Sequence, residues 1–294
     1  MAYRTDLAVE LLENLRGRDE LSGVSEREYE REGLHIHEAE VTTERAARLL
    51  EKPCGRYLTL SLEALSRREE EAFPRSVRVL AALIETLLPP LDSAAPVLIA
   101  GLGSRSITPD AVGPRSADHV IATRHLISRS PEFFASWRPV SVLAPGVLGQ
   151  TGVETGEIVR GVLDHVRPRA VIAIDALAAG RLSRLVRTVQ LADTGIVPGS
   201  GVNNARAALD RQTLGVPVLS IGVPTVADGG SLAHEIAQQL DGAQCEALDD
   251  LSQPFIITTR DIDREVADTA RLIGYAVNMA LQHISVEEID LYLS

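Results

Sequence analysis

The chain has 294 residues, 45% hydrophobic and 24% charged, which is enough apolar material for a globular protein with a large core. Its net charge of -12 argues against attraction to nucleic acid or to anionic membranes, and two dissimilar cysteines exclude a disulfide framework. No apolar run approaches the ~20 residues of a membrane span, and "MAYRTDLAVELLENL" lacks the layout of a signal peptide, so a reduced, cytoplasmic protein is expected.

Aromatic residues make up only 3%, so the core must be built from Val, Leu, Ile and Ala, which suits buried parallel strands. Basic residues are almost all arginine, with Lys52 nearly alone. In chain order, "GLHIHEAEVT" (33–42) and "GRYLTLSL" (55–62) alternate like half-buried strands. Residues 66–88 form a helix expected to break near Pro74. From Val97 the pattern changes. Short β-branched runs closed by Gly, Pro or Asp recur at 96–103, 140–147, 170–177, 187–194 and 217–224. Helical stretches fall between them, from Pro114, Thr155 and Leu177. A long amphipathic helix from Thr259 carries a stripe through Val266, Ala270, Ile273, Val277 and Leu281. The expectation is one α/β domain over 1–294, a doubly wound, mostly parallel sheet with flanking helices and an N-terminal elaboration.

Open parallel sheets gather their chemistry at the carboxyl ends of the strands, and that rule nominates three loops. The first, "GLGSRSITPDAVGP", presents Asp110. The second, "AIDALAAG", puts Asp175 at a strand terminus. The third, "DTGIVPGSGVNN", carries Asp193 and a glycine cluster that includes Gly199, Ser200 and Gly201. Each acid has an ordinary reading: Asp110 as a turn residue after Pro109, Asp175 as the cap of the next helix. Brought together, Asp110 and Asp175 could not both ionise easily, so one would hold a proton while the other activated water. The Asp193-Thr194-Gly195 tripeptide matches pepsin-like peptidases in letters only. It occurs once, in a chain that reads as α/β, so Asp193 is assigned to shaping its loop. "GLGSRS" lacks the third glycine of a dinucleotide turn, "HIH" at 35–37 reads as surface histidines, Cys54 as incidental, and no G-x-S-x-G elbow is present.

The strings "YRTDLAVE", "GLGSRSITPDAVGP", "IATRHL", "RPVSVLAPGVLGQTGVET", "VIAIDALAAG", "DTGIVPGSGVNNAR" and "TLGVPVLSIGVPTVAD" resemble the germination protease family of spore-forming bacteria, from residue 3 to about 228. The resemblance implies an endopeptidase that degrades small acid-soluble spore proteins at germination. The family is regarded as an atypical aspartic peptidase, and its two implicated aspartates fall on Asp110 and Asp175. It implies no cofactor, a cytoplasmic location in the forespore or spore core, and a homotetramer. It also implies a zymogen that removes a short N-terminal segment. "RTDLAVE" looks like the family's cleavage site, which places autocleavage between Asp6 and Leu7 with residues 1–6 as propeptide. An ordinary reading of Thr5 or Asp6 is the cap of the helix that follows. After Ala227 the resemblance thins, and the chain reads as shortened there.

Two other readings stay open. A metal-directed peptidase of similar fold could use Asp110 and Asp175 as ligands, with His119 or His125 brought in by folding. Alternatively, the Gly199–Gly201 loop could cradle a nucleotide or phosphate, or supply oxyanion-stabilising amides to a peptidase.

Overall fold

A computed structural model describes residues 5–15, 22–200, 206–230 and 255–294. Within these residues nine strands form one mixed sheet: β1 (Val24–Arg31), β2 (Leu34–Val41), β3 (Gly55–Ser61), β4 (Val97–Gly101), β5 (Val140–Leu143), β6 (Ala170–Ala179), β7 (Thr188–Ala192), β8 (Val218–Asp228) and β9 (Ile256–Ile257). Their order is β1-β2-β3-β7-β8-β6-β4-β5, with β9 added to the end of β8. Strands β8, β6, β4 and β5 run parallel, and β1, β2, β3 and β7 form an antiparallel wing on β8. The fold is α/β, with the N-terminal elaboration supplying most of that wing.

Strand β4 reads as an unbroken apolar run, and β6 and β8 as apolar runs interrupted by Asp175 and by Ser220 and Thr225, because both their faces are covered. On one face the helices Ala72–Leu87 and Ile262–Gln282 lay Val77, Leu80, Ile84, Val266, Ile273 and Val277 over Ile99, Ile172, Ile174, Leu219 and Ile221. The five-residue stripe expected from Val266 to Leu281 is buried throughout. On the other face the Thr155–Val166 helix sets Val159 and Leu163 on Leu98, Val171, Ala173 and Val218. Further along that face, Ala8 and Leu12 of the Ala8–Leu15 helix pack over Ala39, Val41, Tyr57 and Ala192. The site lies between these two patches.

Several elements differ from expectation. The helix expected from Leu177 does not form; β6 continues through Ala179, and only a 3-10 turn follows at Leu182–Arg184. Pairing with β8 and complete burial of Ala178 and Ala179 override the helix preference of an Ala- and Leu-rich segment. Asp175 is therefore inside a strand and caps no helix. The helix expected from Pro114 ends at Asp118, and a second begins at Arg124. Between them the buried Asn278 side chain accepts from Ile121 N at 2.9 Å and donates to the His119 carbonyl at 2.8 Å, taking over groups that a continuous helix would use. Pro74 lies in the first turn of the Ala72–Leu87 helix, where its missing N–H costs nothing, so it breaks no helix. His37 is not a surface residue. It is 4% exposed, with Nε2 2.9 Å from Glu26 on β1.

Candidate active site

The loop after β4 folds back sharply at Gly103, whose φ is +103°. A Cβ there would stand 2.1 Å from the Asp110 carbonyl oxygen, so only glycine lets the loop close this tightly. The fold-back ends in the 3-10 turn Thr108–Asp110 and lets the Asp110 carboxylate accept the Ser104 N–H at 2.7 Å. Asp175 arrives from the neighbouring strand β6, opposite Gly222 of β8. Strand alternation sets Asp175 on the same face as Ala173 and Leu177, away from the main core. Its side chain is buried, and its Oδ1 accepts from Ala176 N at 2.9 Å.

Asp110 and Asp175 line one cavity of about 570 Å³, together with Glu154, Leu177, Gly199 and Arg206. Burial, and after it the neighbouring Asp110, hold the Asp175 carboxyl well above the ordinary range. Burial also raises Asp110, offset in part by the Ser104 N–H. The more buried acid thus favours its protonated form beside a less buried partner that has a donor to stabilise its charge. Such a pair can offer a proton and accept one at the same time.

The chain's own N-terminal segment enters this cavity. Asp6 lies on its wall; its N–H donates to the Ala178 carbonyl at 2.9 Å. One carboxylate oxygen accepts Ala178 N–H at 2.8 Å, and the other accepts Ser200 Oγ–H at 2.6 Å. Asp6 therefore caps no helix. Thr5 Oγ1 accepts Leu7 N–H at 3.0 Å. Leu7 is fully buried against Leu177, Ala179, Leu185 and Ala227. Asp193 is not part of the cavity: its carboxylate accepts Arg56 N–H at 2.8 Å and ties the end of β7 to β3. Gly199 lines the cavity, Ser200 contacts Asp6, and Gly201 lies outside the described residues.

A family model described as germination protease matches residues 5–240. The chain belongs to the germination protease family. It is 39% identical to the germination protease of Caldanaerobacter subterraneus subsp. tengcongensis, over 96% of this chain and 95% of that one. It is 34% identical to that of Clostridium tetani over the whole of both, and 43% identical to that of Bacillus subtilis over 79% of this chain and 65% of that one. A [NiFe] hydrogenase maturation protease from Thermococcus kodakarensis superposes with a TM-score of 0.37 at 16% identity, over 67% of this chain and 99% of that one; a likeness this loose carries no chemistry across.

Among the described residues of this family member, no three or more His, Cys, Asp or Glu side chains converge to hold a metal ion. His119 packs edge-on against Tyr275, and His125 is exposed outside the cavity. Sequence reasoning missed Gln190 and Lys52. Gln190 is buried in the middle of β7, where its amide donates to the Asp6 carbonyl at 3.1 Å and accepts Ala8 N–H at 2.7 Å. Its signal was legible, since a lone amide interrupts the apolar run "RTVQLA" and a buried polar group needs a partner. Lys52 borders the adjoining cavity of about 540 Å³, which Asp6 also lines. It is the chain's only lysine.

Proposed function

We propose that this chain is an endopeptidase that degrades small acid-soluble spore proteins during germination, with Asp110 and Asp175 as an aspartic dyad that activates water. The observation that carries the reading is the shared cavity: two acids 65 positions apart in the chain line it together, Asp110 from the loop after β4 and Asp175 from within β6, and burial raises the pKa of the second well above the ordinary range. Membership of the germination protease family supports a peptidase acting in spores.

In this mechanism a water oxygen bonds to the peptide carbonyl carbon while Asp110 takes one of its protons. Asp175 gives its proton to the carbonyl oxygen, leaving a neutral diol. Asp110 then passes its proton to the amide nitrogen as the C–N bond breaks. Asp175 recovers a proton from a diol hydroxyl, and a carboxylic acid and an amine leave. No metal or other group is needed to balance the step.

We further propose that the chain is made as a zymogen, with residues 1–6 as propeptide and autocleavage between Asp6 and Leu7. The docking of Asp6 on the wall that carries Asp110 and Asp175 supports this, because an occupied cleft cannot admit another peptide. Mild acid favours processing in this scheme, since one carboxyl of the pair must keep its proton. Assembly as a homotetramer in the spore cytoplasm completes the reading. An aromatic cluster in a chain poor in aromatics supports self-association: Phe134, Trp137 and Tyr292 stack edge to face, beside Phe133 and Leu291, which are 74% and 77% exposed. Among the described residues no helix is long and apolar enough to cross a membrane.

The test combines Asp110→Asn and Asp175→Asn variants with an unstructured spore protein as substrate and N-terminal sequencing after mild acidification. Loss of both substrate cleavage and self-processing is expected in each variant. Full-rate cleavage by either variant refutes the dyad, and an intact Met1 or Ala2 start in the active wild type refutes the processing site.

A further inference from the structure

The loop after β4 holds a polar cluster that no step of the mechanism uses. Ser104 is 1% exposed, and its N–H is the donor that reaches the Asp110 carboxylate. Its hydroxyl is held separately. Gln150 Nε2 donates to Ser104 Oγ at 2.8 Å and to Ser106 Oγ at 3.2 Å, and the two hydroxyl oxygens stand 2.9 Å apart. An amide NH2 carries two hydrogens, one for each hydroxyl. Ser106 N–H also reaches Ser104 Oγ, at 3.4 Å, so both acceptor sites of that oxygen are filled. The Ser104 hydrogen is then left for Ser106 Oγ, and exposed Ser106 keeps its own for water.

Gln150 comes from another part of the chain, the short helix Leu148–Thr151, 46 positions from Ser104. Its loop turns at Gly146, whose φ is +77° and where a Cβ would stand 3.1 Å from the Gln150 side-chain oxygen. The preceding residues Val147, Leu148 and Gly149 line the cavity that holds Asp110 and Asp175. One exposed amide thus ties a wall of that cavity to the residue whose N–H serves Asp110.

Asp110 depends on this N–H. Burial raises its carboxyl, and Ser104 N–H is the group that lowers it. The charged groups around it come from several elements. Asp175 of β6, Asp6, Glu154 and Arg206 share its cavity. Asp263 of the Ile262–Gln282 helix accepts Thr108 Oγ1–H at 2.8 Å in the same 3-10 turn, and Arg115 donates to the Asp263 carbonyl at 3.3 Å. Arg105 and Asp118 pair with each other. None of these groups donates a hydrogen bond to the Asp110 carboxylate, so its ionised form leans on the Ser104 backbone. Hydrogen bonds weaken steeply as they bend, so the orientation of Ser104 matters.

We propose that Gln150 is a positioning residue of the dyad: by gripping the Ser104 and Ser106 hydroxyls it keeps the Ser104 N–H aimed at Asp110, the acid that takes a proton from water. The catalytic consequence rests on the dyad reading above, whereas the grip on Asp110 does not.

Two measurements on the full chain separate these claims. The first, which needs no catalysis, is carboxyl NMR titration of Asp110 in wild type, Gln150→Met and Ser104→Ala. Methionine keeps the length of glutamine without its donors, and alanine keeps the Ser104 N–H without the hydroxyl. A misaimed donor stabilises the charged form less, so the Asp110 midpoint is expected to rise by about half a pH unit or more in each variant. Because both substitutions cut one chain of bonds, the double variant should rise no further than either single variant. An unmoved midpoint in Gln150→Met, or a double variant that shows the sum of the two singles, overturns the proposal. The second measurement is the pH profile of kcat on an unstructured spore protein. Asp110 must be ionised to accept a proton, so the acid limb should move to higher pH in Gln150→Met. At a pH on that limb kcat should fall by about threefold or more, with KM within about twofold of wild type. A raised KM with an unmoved limb makes Gln150 a prop for the cavity wall alone and overturns the positioning role. If wild type cuts nothing at any pH, the dyad reading and the catalytic consequence fail together, and the titration alone decides whether the grip on Asp110 stands.

Discussion

Replacing Asp175 by asparagine is expected to make the folded chain more stable at neutral pH while removing its activity. Wild-type Asp175 is 5% exposed, and among the described residues one N–H, from Ala176, donates to its carboxylate. An ionised carboxylate can accept about four hydrogen bonds, so most of its hydration is lost without replacement. Burial and the neighbouring Asp110 raise its pKa well above 3.8. At a pH below that ordinary value the carboxyl is protonated in both folded and unfolded chains and carries no penalty. As pH rises toward the folded-state pKa, the unfolded chain ionises freely in water while the folded chain resists, and stability falls across that window. Above it the penalty is constant. Asparagine keeps the shape and removes the charge, for a gain on the order of 1–3 kcal/mol at pH 7.5. For a chain of this size that corresponds to roughly 2–6 °C in Tm. Activity on an unstructured substrate should fall by about 10²–10⁴ with the loss of the proton donor. Thermal unfolding at pH 7.5 and at pH 3.5, beside a cleavage assay, checks both halves, and the stability gain should vanish at the lower pH. A variant less stable than wild type at pH 7.5, or a gain undiminished in acid, refutes the electrostatic argument.

Asp110→Asn removes the charge that helps raise Asp175, so the Asp175 titration followed by carboxyl NMR should move down toward the ordinary range yet stay above it, because burial remains. Gly103→Ala forces a Cβ against the Asp110 carbonyl at a φ of +103°; a loss of about 2 kcal/mol or more in unfolding free energy and a marked loss of activity are expected from a displaced Asp110. Glu10 is fully buried, accepts Gly180 N–H at 2.7 Å and Arg181 N–H at 3.1 Å, and faces Arg184 at 3.5 Å. Glu10→Ala leaves those donors unmet and should cost about 2–4 kcal/mol by denaturant unfolding. Hydrolysis by the dyad should survive a strong chelator; loss of activity restored by added metal would instead favour metal-dependent chemistry.

Much of this protein was written in local pattern. Short apolar runs closed by Gly, Pro or Asp marked the central strands, because a strand covered on both faces is apolar along most of its length. The 3.6-residue stripe of the Ile262–Gln282 helix was likewise visible before folding. Asp110 and Asp175 could be nominated one at a time from where their strands end. Their meeting in one cavity was decided by the parallel neighbourhood of β4 and β6, which no single segment encodes. Tertiary pairing also turned Leu177–Ala179 from expected helix into strand and buried His37 beneath a β1 that carries mostly charged residues. The place of Asp6 was another such decision. Its sequence context suits a helix cap equally well, and only the edge of β6 and the Ser200 hydroxyl, 172 and 194 residues away, draw its carboxylate elsewhere. Local sequence fixes which backbone shapes are cheap, whereas partners for buried polar groups come from wherever the fold brings a donor.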